Sequence, residues 1–352
     1  MRFSIVMPIY NVQDYLNDSV SDLQGQSFTD FELILVDDCS PDLSGVLCDN
    51  FTKDDRRIRV IHLPQNGGLS NARNQGMASA KGEYILFLDP DDRYDKNLLK
   101  EIDHSLEKNN AKLVLFGLME EYYDQGGEIE YKKQIVPVTG YFQTAQEVRK
   151  QVLDLETRTL FGYAWNKAYR LSYLQQLGLE FEKITMIEDV LFNIRVFEEL
   201  DSCNLIGKSL YHYAIRKQGS LTTKYLPDYF DLHAKRVESI CRLYKKWHML
   251  TPEVLNRMGS IYCRYFLSAL QRNCSDAANM HFLDRRRWVK RQFESQIYRR
   301  LKPFLHPDNR LLKLLAWGIR TEKAVFCVLM GRGIYIIKEK YPNVFSRLKQ
   351  NR

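Results

Sequence analysis

The sequence predicts an α/β fold, a mainly parallel sheet flanked by helices, followed by a mostly helical C-terminal region. Three observations carry this. Five short apolar runs lie within the first 118 residues and lack strict alternation with polar residues, which marks most of them as strands buried on both faces. Helical stretches of ten to fifteen residues separate them, and strands that alternate with helices build parallel sheets through crossover connections. The charge then changes sign along the chain: residues 1–227 hold 25 Lys+Arg and 34 Asp+Glu, net −9, whereas residues 228–352 hold 26 and 10, net +16, within a total of +7.

In order, FSIVMPI (3–9) reads as the first strand, with a helix over 12–24. FELILV (31–36) is the second, and the helix expected over 41–53 takes Ser40 as its cap and Pro41 as its first residue, where a missing N–H costs nothing. IRVIHL (58–63), a helix over 69–80, YILFL (84–88), a helix over 95–108 and LVLFGL (113–118) continue the alternation. Residues 120–140 are polar and β-like, with Gly126-Gly127 as a hairpin turn. Helices follow at 143–155, 171–177 and 189–200, then a strand near 203–214. Beyond Tyr229 come helices rich in Arg, Lys, Tyr and Leu, broken at Pro252, Pro303 and Pro307. Two domains are expected, 1–227 and 228–352.

Composition excludes several classes. At 352 residues with 45% hydrophobic and 27% charged, the chain buries a sizeable core and is not disordered. Seven cysteines with no C-x-x-C pair argue against a disulfide framework or zinc ribbon and for a reducing cytoplasm. The N-terminus is too short in apolar residues for a signal peptide, and no run of eighteen uncharged apolar residues occurs, so neither secretion nor membrane crossing is expected. No G-x-G-x-x-G follows the first strand, which weighs against a dinucleotide enzyme. Gly207-Lys208-Ser209 resembles a P-loop ending, but Ser202 replaces the first glycine; residues 89–100 fail as a calcium loop because Arg93 and Lys100 take ligand positions.

Ligands of an open parallel sheet bind beyond the carboxyl ends of its strands. Three such ends are loaded: Pro8-Ile9-Tyr10-Asn11, Asp37-Asp38-Cys39-Ser40 and Asp89-Pro90-Asp91-Asp92. Each alone has a plain explanation, since Asp and Ser cap helices, Asp-Pro makes turns and tyrosine packs. Together, five aspartates at one edge repel unless a cation sits among them, and such oxygen ligands suit Mg²⁺ or Mn²⁺ shared with phosphate.

The motifs SIVMPIYN, FELILVDDCSPD and NGGLSNARNQGMASAKGEYILFLDPDD, in this order over about residues 1–120, resemble the family-2 glycosyltransferases with the GT-A fold. Weaker similarity continues through Trp165-Asn166-Lys167, Ile187-Glu188-Asp189 and YHYAIRKQGSLTT (211–223), which are similar to bacterial enzymes building capsular and other surface polysaccharides. The resemblance implies a nucleotide-sugar half over about 1–120 and an acceptor half over 121–227. It implies that Pro8, Tyr10 and Asn11 hold the nucleoside, with the Tyr10 ring on the base, and that Asp38 accepts a hydrogen bond from uracil. Asp89 and Asp91 fill the D-x-D positions, ligating Mn²⁺ or Mg²⁺ on the donor diphosphate, with Asp92 beside them. Arg73 is expected to approach the diphosphate. Cys39 departs from the glycine usual in D-D-G-S.

Sugar transfer to a hydroxyl needs a carboxylate base and a cation for the departing diphosphate. Asp189 aligns with the family's base, with Glu188 as its neighbour; without the resemblance both acids simply favour a helix N-terminus. Arg216, Ser220 and Thr222 lie in a segment expected to close over the donor phosphates, where arginine's planar fork suits them, although a solvated turn is the plain alternative. Trp165, Asn166 and Lys167 are candidates to line the acceptor site. The expectation is an inverting, UDP-sugar-dependent transferase acting on a surface-glycan or lipid-linked hydroxyl, cytoplasmic and peripheral on the inner face of the membrane. Alternatives are a nucleotidyltransferase, or a non-catalytic basic adaptor binding membrane or nucleic acid. For residues 228–352 the charge and aromatics favour an anionic membrane surface over nucleic acid, with packing on the catalytic domain or a second subunit of a homo-oligomer as alternatives.

Overall fold

A computed structural model describes residues 1–124, 126–184, 186–216 and 225–340. The chain divides into two compact units, Met1–Ser220 and Leu221–Arg352. In the first, the order is β1 (Phe3–Ile9), α1 (Gln13–Gln24), β2 (Phe31–Asp37), α2 (Ser44–Asp54), β3 (Ile58–His62), α3 (Leu69–Ser79), β4 (Tyr84–Phe87), β5 (Arg93–Tyr94), α4 (Leu98–Lys108), β6 (Leu113–Tyr123), β7 (Ile129–Ile135), β8 (Gly140–Phe142), α5 (Ala145–Thr157), β9 (Lys167–Arg170), α6 (Leu171–Gln176), α7 (Glu188–Glu198) and β10 (Cys203–Ile215).

These strands form one sheet in the order β3-β2-β1-β4-β9-β6-β10-β5, with β7 on β6 and β8 on β10. β1 runs parallel to β2 and β4, and β2 to β3. Every residue of β1 and β2 is buried, as expected of central parallel strands covered on both faces. The sheet is mixed. β9 runs antiparallel to both β4 and β6, and joins the parallel block to the parallel pair β6 and β10.

Two local departures from the sequence reading have physical causes. α2 starts at Ser44, not at Pro41. Asp37 accepts the Ser40 N–H at 3.0 Å, and Asp42 accepts N–H groups from Gln13 and Ser44, both at 3.1 Å, so the segment is tied down as a loop. Cys39 takes φ +59°, the left-handed conformation that glycine adopts freely. The loop therefore keeps the backbone that the missing glycine would have given it.

The second unit is helical: α8 (Tyr229–Lys246), α9 (Pro252–Arg272), α10 (Phe282–Phe293), α11 (Gln296–Leu301), α12 (Arg310–Arg320) and α13 (Ala324–Lys340). The helix break expected at Pro252 falls between α8 and α9, with Pro252 opening α9 as its first residue behind a Thr251 cap. No helix among the described residues is long and apolar enough to cross a membrane.

Candidate active site

The carboxyl end of β1 leads into Tyr10, about half exposed, and Asn11 in the left-handed region at φ 55°. After β2, Asp38 is buried and its two oxygens accept the Gly67 and Gly68 N–H groups at 2.8 and 2.7 Å. Asp38 thus fixes the turn into α3, where Gly68 has φ 86°.

Arg73, on α3, does not reach solvent. It is 1% exposed, and its guanidinium bridges two carboxylates: Nη2 donates to Asp89 Oδ1 at 3.0 Å and Nη1 to Asp189 Oδ1 at 2.5 Å. The Phe181 ring lies beneath it, 5.3 Å from centroid to Cζ. In this structure both Nη atoms of Arg73 are turned to carboxylates of the protein, while its Nε has no hydrogen-bond partner among the described residues. The guanidinium couples the strand-end aspartate to the start of α7.

Asp189 has a second partner, the Ala164 N–H, which donates to Oδ2 at 3.0 Å. Glu188 beside it has a buried Oε2 without a hydrogen-bond partner, and burial, then the Asp189 charge, pushes its carboxyl upward. Asp89 is pushed up to about 6 by burial and by Asp91, against the pull of Arg73.

The three aspartates after β4 separate by environment. Asp91 is open, its side chain 49% exposed, with the Arg216 guanidinium 3.8 Å away. Arg216 also donates to the Asp91 carbonyl at 2.8 Å and stacks over Tyr15 and Tyr123 at 4.2 and 5.4 Å. Asp92 is buried, accepting from Tyr211 Oη at 2.6 Å and the Ala214 N–H at 2.8 Å, so it pins this loop to β10. Burial and its two neighbouring aspartates hold its carboxyl well above the usual range.

Asn166 and Lys167, the acceptor-site candidates beside Trp165, are both fully buried. Lys167 Nζ donates to the carbonyls of Leu160 and Tyr163 and to Asn166 Oδ1, closing the 160–166 loop. That loop supplies the N–H that orients Asp189. Trp165 is buried in a stack, its ring centroid 4.1 Å from Tyr211 and 4.4 Å from Tyr163, with Tyr213 at 5.4 Å. Sequence reasoning missed Ala164, Tyr163 and Tyr213; only the aromatic spacing of FGYAW and YHY hinted at the stack. Ser220 and Thr222 lie outside the described residues.

Among the described residues no cluster of three or more His, Cys, Asp or Glu is placed to hold a metal. Asp91 and the second oxygen of Asp89 remain for a cation. Two carboxylates fit a hard divalent ion whose shell is completed by phosphate oxygens and water.

Residues 4–178 match the model of Glycosyl transferase family 2. A Bacillus subtilis (strain 168) protein described as an uncharacterized glycosyltransferase, EpsJ, is 28% identical over 339 residues, 95% of this chain and 94% of its own. TarS of Staphylococcus aureus, a poly(ribitol-phosphate) beta-N-acetylglucosaminyltransferase, is 28% identical over 223 residues, 62% of this chain and 36% of TarS. The chain therefore corresponds to about a third of that relative's length. Its fold matches the crystal structure of S. aureus TarS 1-349 in complex with UDP-GlcNAc, with TM-score 0.67 at 20% identity, covering 94% of this chain and 91% of the other. A mannosyltransferase from Pyrobaculum calidifontis, solved with GDP-Man and Mn²⁺, matches at TM-score 0.50 and 12% identity over 92% and 87% of the two chains. With this match over residues 4–178 and its GT-A fold, the chain belongs to glycosyl transferase family 2 and is a glycosyltransferase.

Proposed function

We propose that the enzyme moves a sugar from a UDP-activated donor to a hydroxyl of a growing surface glycan, free or lipid-linked, by a single displacement that inverts the anomeric centre. The observation that supports this best is the buried Arg73 bridge, which sets Asp89 and Asp189 on either side of one cation. One carboxylate faces the donor's diphosphate and the other faces the acceptor. Tyr10 supplies a half-exposed ring for the base, with Pro8 and Asn11 shaping the same strand end. Asp38 holds the loop beside it and keeps lone pairs for the uracil N–H.

Asp189 accepts the hydroxyl proton as the oxygen attacks the anomeric carbon, and the bond from that carbon to the diphosphate oxygen breaks. Each Asp189 oxygen keeps a lone pair after its contact with Arg73 or Ala164. The two contacts also fix the carboxylate's orientation, as a positioned base requires. Glu188 adds a second acid at the same helix start. Asp91 and Asp89 would hold Mn²⁺ or Mg²⁺, whose chemistry is to stabilise negative charge on the departing diphosphate. Arg216, beside Asp91, offers paired donors to the phosphates. The half-buried Tyr163 and Tyr213 rings flank the buried Trp165, next to the Ala164 N–H that holds Asp189.

Turnover of UDP-sugars by Asp189→Asn tests the assignment. Loss of the base should lower transfer by roughly 10²-fold or more, with UDP affinity unchanged, because the base acts on the acceptor. Transfer near the wild-type rate would move the base elsewhere, to Glu188 first.

A further inference from the structure

α13 packs on α9, α10 and α12, burying Ala324, Cys327, Val328, Gly331 and Ile334. Its opposite face leaves Val325, Leu329 and Ile336 exposed at 43, 55 and 40%. Spacings of four and seven residues align them in one stripe. α12 adds Leu314 and Trp317, 50 and 40% exposed. The Trp317 ring meets Phe326 edge-on with centroids 5.3 Å apart, so the two helices share one apolar surface. Exposed apolar residues scattered singly need no explanation, but five on two adjoining helices form a patch.

Cations border it. Lys313, Lys323 and Arg332 are exposed, and none makes a hydrogen bond or ion pair to a carboxylate among the described residues. Lys323 Nζ lies 4.3 Å from the Trp317 ring centroid. Acids near these helices include Glu322, which is held by Lys302 Nζ at 2.5 Å and Tyr298 Oη at 3.1 Å, the exposed Asp308 and Glu339, and Asp276 near Tyr335.

We propose that this face docks on an anionic phospholipid surface. The apolar stripe and the Trp317 indole would enter the headgroup boundary while the flanking cations meet lipid phosphates. Charge argues for lipid over a second copy of the chain. A two-fold contact places the same patch on itself, setting Lys313, Lys323 and Arg332 against their own kind, in a region whose net charge is +16 from residue 228 onward. The inference is independent of the proposed reaction, since it concerns only where the enzyme sits.

The test is flotation of the full-length chain with vesicles of phosphatidylcholine alone or mixed with phosphatidylglycerol, at low and high salt and without donor. The wild type should float with the mixed vesicles at low salt, stay behind with pure phosphatidylcholine, and be released by salt. Leu329→Glu, at an exposed site, should lower vesicle binding about tenfold, as should Lys313→Glu with Lys323→Glu, while circular dichroism stays unchanged. A wild type that ignores phosphatidylglycerol, or a Leu329→Glu variant that floats as well as wild type, overturns the proposal. So does concentration-dependent self-association without lipid that Leu329→Glu abolishes, because the patch would then belong to a second copy. None of these results bears on sugar transfer, so the two readings fail separately.

Discussion

Arg73 ties together the two carboxylates on which the proposed reaction rests. Its guanidinium is nearly inaccessible yet faces two carboxylates, and burial of such an ion is favourable only while its partners and hydrogen bonds are in place. Replacing it with leucine leaves Asp89 and Asp189 without their common cation. We expect Arg73→Leu to destabilise the protein by about 3–5 kcal/mol, read as a lower urea midpoint, and to abolish transfer. Arg73→Lys should keep more stability but not activity, because a point charge cannot fork to both acids. A leucine variant as stable as wild type would show the bridge to be unimportant. In the sequence Asp89 and Asp91 stood out by their place after an apolar run, and Asp189 by resemblance to the family's base. The sequence did not reveal that Asp92, Asn166 and Lys167 turn inward, since whether a polar residue faces a ligand or a carbonyl depends on contacts from distant segments such as β10 and the 160–166 loop.

At the scale of elements, the buried parallel strands and α1, α3 and α4 were legible because apolar runs and 3.6-residue periodicity are local signals. β9 was not. Its four residues, Lys167–Arg170, include two charges, and only its place between β4 and β6 makes it a strand. The start of α2 was misplaced because Ser40-Pro41 looks like a cap, whereas Asp37 and Asp42 bind the backbone of that segment instead. In α8 an element-scale prediction arises from His233, stacked on Tyr265 with centroids 3.8 Å apart and edge-on to Tyr229 at 4.5 Å. Burial, then Arg236 and Arg272, pushes its imidazole down to about 3. The fold thus keeps it neutral, while the unfolded chain protonates it below about 6.5. Its penalty is absent above that pH and grows as pH falls towards 3, by up to about 1.4 kcal/mol per unit. His233→Phe should flatten the decline in unfolding free energy between roughly pH 6.5 and 4; an unchanged slope would show that the histidine is not held neutral.

At the scale of the whole molecule, the chain has an acidic first part and a basic second part. The first unit gathers Asp89, Asp91 and Asp92 after one strand, and the helical second unit carries the positive charge. If Asp91 and one oxygen of Asp89 hold the metal as proposed, too few protein ligands are present among the described residues to fill its shell, so ion and donor should bind together, each completing the other's shell. The most direct test is calorimetric titration of UDP into wild type and Asp91→Ala, with and without Mn²⁺. UDP affinity in the wild type should rise sharply with Mn²⁺, and Asp91→Ala should lose that increase while keeping its fold, since Asp91 lies in the open at the sheet's edge. Equal affinities with and without the metal, or an Asp91→Ala variant that binds UDP as the wild type does, would contradict a donor site built on these aspartates.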